Sequence, residues 1–232
     1  MQVAVLAGGL GTRLRPATEK VPKCMTLVGD RPFLFYLLRL LKNRGAEEAI
    51  LCIGYLGEQV EAYFGDGEVV GLKLRYSQET GGLLGTGGAL KLAEPMLQHN
   101  FLVVNGDTYL DIDYPAVYRE FTASEAPAFI VASTCVQNMR FDLAINEKSL
   151  VTRYDKTNSA GLDYVNAGVM GLRREVLAGV PTGQSVSLEA DIFPRLIGRR
   201  EVKAHITDQR FYDIGSFAGL GIFEKVLKET RL

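Results

Sequence analysis

The sequence predicts an α/β protein with a Rossmann-like layered fold and a mixed, mostly parallel central sheet. Three observations carry that expectation. Short apolar runs at Val3–Leu6, Ala49–Ile53 and Phe101–Val104 read as buried strands, the first running straight into glycines. Helix-like segments alternate with these strands, which is the pattern of a parallel sheet. After about Phe141 the strand-like runs crowd together, which predicts an antiparallel addition to the same sheet.

The elements follow in chain order. Val3–Leu6 leads into Gly8, Gly9 and Gly11. Asp30 precedes Arg31 and Pro32, the expected cap and first turn of a helix that runs to about Arg44 and stops at Gly45. Ala49–Ile53 is a strand, Gly57–Phe64 a short helix, and Leu72–Tyr76 alternates like a strand. Gly88–Leu92 reads as helical and Phe101–Val104 as a buried strand. Asp111 and Asp113 mark the start of a helix over Tyr114–Phe121, and Ala128–Thr134 is a longer apolar strand. Leu143–Ile145, Leu150–Tyr154 and Tyr164–Leu172 are the crowded strands. Leu188–Ile197, capped by Ser187, and Phe217–Lys228 close the chain as helices. There is no internal repeat or linker, so residues 1–232 are expected to form one domain.

Composition narrows the function. Hydrophobic residues make up 47% and charged residues 23% of the 232, which suits a globule that needs no disulfide or metal staple. The formal net charge of -1, with both signs scattered, excludes a basic footprint for nucleic acid. Cys24, Cys52 and Cys135 are far apart and form no CxxC, so neither a disulfide framework nor a zinc site is expected, and a reducing cytoplasm fits. The first residues lack the features of a signal peptide, and the longest apolar stretch is too short to span a bilayer, so no membrane insertion is expected.

Leu6-Ala7-Gly8-Gly9-Leu10-Gly11-Thr12-Arg13-Leu14-Arg15-Pro16 carries the most information. A strand ending in glycines lets backbone N–H groups approach a phosphate or base, and Arg13 and Arg15 suit phosphate oxygens. The run is not a GxxxxGK[ST] phosphate loop. Nor is it a GxGxxG dinucleotide loop: Leu14 stands at the third glycine position, and Pro16 and Pro22 interrupt the helix that should follow. Followed by Pro22-Lys23, the run resembles the N-terminal signature of the sugar-1-phosphate nucleotidyltransferase superfamily, whose fold is the nucleotide-diphospho-sugar transferase type. The family often has proline after that lysine; here it is Cys24.

The resemblance implies roles along the chain. Leu6, Gly8, Gly9, Gly11, Thr12 and Gly106 would line the nucleotide, Arg13 would contact the polyphosphate, and Lys23 would meet phosphate oxygens. Gln78-Glu79 with Leu84–Ala89 resembles the base-recognition segment, which implicates Gln78, Gly85 and Thr86. Asp107, after the Phe101–Val104 strand, and Asp213, in Phe211–Gly215, resemble the two metal-binding aspartates, a hard-oxygen pair that suits Mg2+. Lys156 matches the lysine that contacts the sugar phosphate. Asn166 and Gly168 match the sugar-binding strand, and Glu189 would face the sugar hydroxyls.

A sugar 1-phosphate is already ionised near neutral pH, so no histidine or cysteine need activate it. His99, His205 and the three cysteines play no part in the implied chemistry. The implied reaction is in-line attack on the α-phosphorus of a nucleoside triphosphate with loss of pyrophosphate, carried by positioning and charge compensation. Arg31–Leu34, Asn105–Thr108 and Ser187–Pro194 look especially like the guanylyltransferases acting on D-glycero-D-manno-heptose 1-phosphate, whose GDP-heptose serves a capsule, lipopolysaccharide or glycoprotein coat. GTP and that heptose phosphate are therefore the favoured partners. Mannose-1-phosphate guanylyltransferase and uridylyl- or thymidylyltransferases are the alternatives. A silent nucleotide-sugar-binding subunit is the rival from another class, disfavoured because Arg13, Lys23, Asp107 and Asp213 are all present. No hexapeptide repeats follow, so a C-terminal β-helix is not expected. Oligomeric state stays open, a homo-oligomer included.

Overall fold

The computed structural model describes residues 1–135 and 140–230. The chain opens with β1 (Gln2–Leu6), a small hairpin of β2 (Leu27–Val28) and β3 (Arg31–Pro32), α1 (Phe33–Asn43), β4 (Glu48–Ile53) and α2 (Gly57–Phe64). It continues with β5 (Lys73–Gln78), α3 (Gly85–Ala93), β6 (Asn100–Asn105), β7 (Thr108–Leu110), α4 (Tyr114–Ala123) and β8 (Ala128–Ser133). The rest comprises β9 (Leu143–Ile145), β10 (Val151–Tyr154), β11 (Val165–Arg173), α5 (Phe193–Gly198), β12 (Val202–Thr207), β13 (Phe211–Asp213) and α6 (Phe217–Thr230).

Seven strands form the central sheet in the order β12-β8-β11-β6-β1-β4-β5. β11 runs antiparallel to both neighbours, β6 and β8, and the other pairings are parallel. The sheet is therefore mixed and mostly parallel. Both faces are covered, as a parallel sheet requires, so its strands are apolar without a polar side. Val3 and Val5, Leu51 and Ile53, and Leu102 and Val104 face one core with Leu34, Leu37, Leu38 and Leu41 of α1. Ala4, Ile50, Cys52, Phe101 and Val103 face the other, with Leu90 and Ala93 of α3. The Leu34, Leu37, Leu38, Leu41 spacing places one stripe of α1 on the sheet.

α1 stops at Gly45, which takes φ +84°, while the Ala46 and Gly45 N–H groups close back on Leu41 and Lys42 at 2.9 and 3.1 Å. Asp30 does not start the helix. It sits in the turn of the β2–β3 hairpin, where Leu27 pairs with Pro32 and Val28 with Arg31, and Gly29 takes φ +65°. The hairpin consumes the residues expected in the first helical turn. Asp113 does cap α4, accepting the Ala116 N–H at 2.9 Å, whereas Asp111 pairs with Arg44 at 2.6 Å.

Three further differences concern the second half. Only β11 of the crowded strands joins the main sheet; β9 and β10 pair with each other as a separate ribbon. β12, which the sequence reading passes over, adds an edge strand parallel to β8. The Leu188–Ile197 helix is a wide π-helical turn, Leu188–Ile192, continued by α5, with Ser187 Oγ accepting the Glu189 and Ala190 N–H groups at 3.2 and 3.1 Å. No helix of the described residues is long and apolar enough to cross a membrane.

Leu37 is fully buried between α1 and the sheet. Leu37→Ala should lower unfolding free energy by about 2–5 kcal/mol in urea titration, against about 0.5–2 kcal/mol for Asp113→Ala.

Candidate active site

β1 lies between β4 and β6, with Leu6 level with Cys52 on one side and Asn105 on the other. The chain reaches β4 first on one flank and returns to β6 on the other, so the strand order reverses at β1. Ligands of open α/β sheets bind beyond the carboxyl ends of the strands at such a reversal. Two adjoining hollows occupy this place, about 180 and 250 Å³, both bordered by Leu6, Gly9 and Asp107. Gly11, Thr12, Arg13, Lys23 and Gly106 line the first; Gly8, Glu79, Gly85, Thr86 and Glu189 line the second.

The first hollow is a charge centre. Arg13 projects from a short helical turn anchored by fully buried Leu14. Gly11 is left-handed at φ +61°, and a Cβ built on it would lie 2.9 Å from Lys23 Cβ, so the loop folds tightly over Lys23. The half-buried Lys23 ammonium donates to Asp107 Oδ2. Asp213 reaches the same place because β13 pairs antiparallel with β7, setting Asp213 opposite Thr108, and the Ile214 N–H donates to the Asp107 carbonyl at 3.0 Å. Gly215 marks the convergence. A Cβ built on it would fall 2.5 Å from Asp213 Oδ1, 2.7 Å from Arg13 Nη2 and 3.0 Å from Lys23 Nζ.

The second hollow has α3 as one wall. The Gly87 and Gly88 N–H groups donate to the Val186 carbonyl at 2.8 and 3.1 Å, and Thr86 Oγ1 donates to Glu189 Oε2 at 2.8 Å. These bonds tie the glycine-rich helix entry to the Ser187–Glu189 turn. Gln78 is exposed and does not line either hollow; its neighbour Glu79 does.

Beyond Glu189 lies a polar cluster. Lys156 is exposed, 3.4 Å from Glu189 Oε1 and 5.7 Å above the Tyr154 ring. Asn166 Nδ2 donates to Tyr154 Oη at 3.1 Å, and its Oδ1 accepts the Gly168 N–H at 2.9 Å. Gly168 takes φ +76° in a β-bulge of β11, where a Cβ would press on Thr108 beside Asp107. Asp142, which no motif announced, joins the cluster by accepting the Asn166 N–H at 2.8 Å. Burial pushes the Asp142 carboxyl up to about 6, reinforced by the Glu189 charge and opposed by the Asn166 N–H and Lys156. Burial also acts to raise the Glu189 carboxyl, but Lys156 and hydrogen bonds from Thr86 and Ser187 outweigh it and hold it below its usual range.

Residues 2–228 match the family model described as nucleotidyl transferase. The chain belongs to the nucleotidyl transferase family. It is 31% identical over 216 residues to the D-glycero-alpha-D-manno-heptose 1-phosphate guanylyltransferase of Campylobacter jejuni, covering 93% of this chain and 95% of that one. It is 34% identical to the N-acetylmuramate alpha-1-phosphate uridylyltransferase of Neisseria meningitidis over 81% of this chain and 82% of the relative. Longer relatives are matched in part: the chain spans 55% of the UTP--glucose-1-phosphate uridylyltransferase of Synechocystis. Among solved structures, HddC from Yersinia pseudotuberculosis superposes with a TM-score of 0.83 at 28% identity, covering 97% of this chain and 99% of that one.

Nucleotidyltransferases of this family generally use a divalent metal, and the residues here suit one. Asp107 and Asp213 supply carboxylate oxygens on either side of the Lys23 ammonium. No group of three or more metal-binding side chains occurs among the described residues. That donor set fits a hard cation whose remaining ligands are phosphate oxygens and water, not an all-protein cage. Cys24 and Cys52 offer no alternative chemistry, since burial pushes both thiols up to about 12.

Glu79, Asp142 and Gly215 are the site features that sequence reasoning did not single out. Glu79 and Gly215 lie inside motifs that were read for other residues. Asp142 had no local signal, because β9, β10 and β11 bring its partners together.

Because the folded carboxyl of Asp142 titrates above its ordinary 3.8, the native state holds the extra proton between about pH 4 and 6. Its contribution to stability therefore falls as pH rises through that window. Asp142→Asn keeps an acceptor for Asn166 and removes the titration. Unfolding free energies should show the variant gaining on the wild type by on the order of 1–3 kcal/mol between pH 4 and 7. A pH-independent difference would refute the assignment.

Proposed function

We propose that the chain is a guanylyltransferase that joins GTP to D-glycero-D-manno-heptose 1-phosphate and releases pyrophosphate, with Mg2+ as the metal. The convergence of Arg13, Lys23, Asp107 and Asp213 around Gly215 carries this reading. It places two cations and two metal-suited carboxylates in one cleft. The match to the Campylobacter heptose enzyme runs over nearly the whole of both chains, and HddC has a solved structure complexed with GMP-PN, which superposes with a TM-score of 0.81 at 27% identity. Both support the choice of base and sugar.

In this reading the glycine loop, from Leu6 to Thr12, packs against the nucleotide, and Gly85, Thr86 and Gly106 border it. Arg13 holds the β- and γ-phosphates and neutralises the leaving pyrophosphate. Lys23 stands by the α-phosphate, where charge builds as the new P–O bond forms. Lys156 receives the sugar phosphate, and Asn166, Gly168 and Glu189 face the sugar. Mg2+ held by Asp107 and Asp213 would supply Lewis-acid compensation for the transferring phosphate. The sugar phosphate oxygen attacks the α-phosphorus and the bond to pyrophosphate breaks, so no protein base is needed. His205 agrees with that, since its ring binds Glu120 at 2.7 Å on the edge strand β12.

The test is pyrophosphate release with magnesium across GTP, UTP, TTP, CTP and ATP against heptose, mannose and glucose 1-phosphates. Release with GTP and the heptose phosphate is expected. A different productive pair keeps the chemistry and replaces the substrate; silence from folded protein across the grid overturns the enzyme. Asp107→Asn, Asp213→Asn and Lys23→Ala should each lower turnover on the order of 100-fold or more while leaving the circular dichroism spectrum unchanged.

A further inference from the structure

Glu79 is a cleft carboxylate that the transfer chemistry does not use. It follows β5 directly, and its N–H still donates to the Ile53 carbonyl at 3.0 Å. The alternation of the strand leaves Ser77 buried and Gln78 exposed, and Glu79 turns back into the second hollow. Its two oxygens are treated differently. Oε1 accepts the Leu84 N–H at 2.6 Å. Oε2 lies beneath the glycine loop, 2.7 Å from a Cβ built on Gly8 and 2.6 Å from one built on Gly54. Only the missing side chains at those positions leave it room.

No ion pair to Glu79 occurs among the described residues. Burial pushes its carboxyl up, and the Leu84 N–H offsets part of that. A half-buried acceptor oxygen without a cation is costly unless donors reach it. The surrounding walls are small or apolar: Gly8, Gly9, Leu83, Gly85 and Ala89. They form a slot for a flat ring with a hydrogen-bond acceptor at its edge.

We infer that Glu79 is the specificity residue for the nucleobase, and that its Oε2 selects guanine by accepting from the N1–H and N2–H2 edge. This rests on the guanylyl-transfer reading above. An ionised carboxylate can only accept. Guanine is the base that sets two donors side by side on its pairing edge. Adenine and cytosine set a ring-nitrogen acceptor beside one amino group, and uracil and thymine flank one N–H with two carbonyls. A fixed acceptor therefore meets a lone pair with every base but guanine, which is discrimination by repulsion as well as attraction.

The experiment compares kcat/KM for GTP, UTP and inosine triphosphate, which keeps N1–H but lacks the N2 amino group. Pyrophosphate release is followed with magnesium and the sugar phosphate, in the wild type and in Glu79→Gln. Glutamine keeps an acceptor for Leu84 and sets an NH2 where Oε2 stood. The wild type should favour GTP over inosine triphosphate by about 10- to 100-fold, the range of a hydrogen bond to a charged group. In Glu79→Gln the two should come within about threefold of each other, since most of that bond is gone. A general loss of activity cannot imitate this, because structural damage lowers both substrates together. Equal use of the two nucleotides by the wild type overturns the inference even if the variant fails to fold. So does a preference that survives the substitution. A wild type that prefers UTP instead overturns the guanylyl reading itself.

Discussion

The antiparallel pairing of β13 with β7 determines whether the cleft has one carboxylate or two. Asp107 follows β6 and Asp213 ends β13, in opposite halves of the chain, and the Asp213–Thr108 register is what sets them together. The pairing is three residues long, and each net hydrogen bond contributes only about 0.5–1.5 kcal/mol. The ribbon is held from behind by α6. Phe223 is fully buried with its ring 4.9 Å from Tyr109, 6.0 Å from Tyr212 and 5.0 Å from Phe33 of α1. Burying such a ring contributes roughly 1.5–3 kcal/mol, and each well-placed aromatic pair roughly 0.5–1.5 more. A C-terminal helix thus governs the geometry of the charge centre through one phenylalanine.

Bringing Asp107 and Asp213 together costs repulsion, and the surroundings show how it is offset. Lys23 donates to Asp107, the Gly215 N–H donates to Asp213, and Arg13 lies against the same glycine. The glycine is dictated by crowding, since a methyl group at 215 would occupy the space of three charged side chains at once. Preorganisation here means that the charges are placed before any substrate arrives, so little rearrangement is left for the reaction.

How much of this could be read from the sequence depended on the range of the contacts. The glycine loop, Arg13 and Lys23 are legible because a strand end, a turn and a nearby lysine are local features. Asp107 is legible because it follows a buried strand. The helix stop at Gly45 and the caps at Asp113 and Ser187 are equally local, and the structure shows all three. Asp30 misled because a two-residue hairpin turn and a helix cap draw on the same residue types. β12 went unread although Val202, Ala204 and Ile206 alternate with Lys203 and His205; it is an edge strand with one half-polar face. The directions of Glu79 and Asp142 could not be read locally. Glu79 depends on the absence of side chains at Gly8 and Gly54, and Asp142 on the meeting of β9, β10 and β11.

The balance of charge in the cleft explains why these geometric details matter. Arg13, Lys23 and Lys156 face Asp107, Asp213, Glu79, Glu189 and Asp142, so acidic groups outnumber basic ones where two anionic substrates must meet. Bulk attraction cannot gather a triphosphate and a sugar phosphate there, and the whole chain, at a formal charge of -1, adds no steering field. Affinity must come from matched local contacts: cations at phosphate positions, carboxylates toward a metal, a donor-rich base edge or sugar hydroxyls. Each carboxylate then discriminates. It rewards the group that brings hydrogens or positive charge and penalises the group that does not, because a desolvated acceptor left unpaired costs about 1–3 kcal/mol. An acidic cleft for anionic substrates is therefore selective because it is not generally attractive.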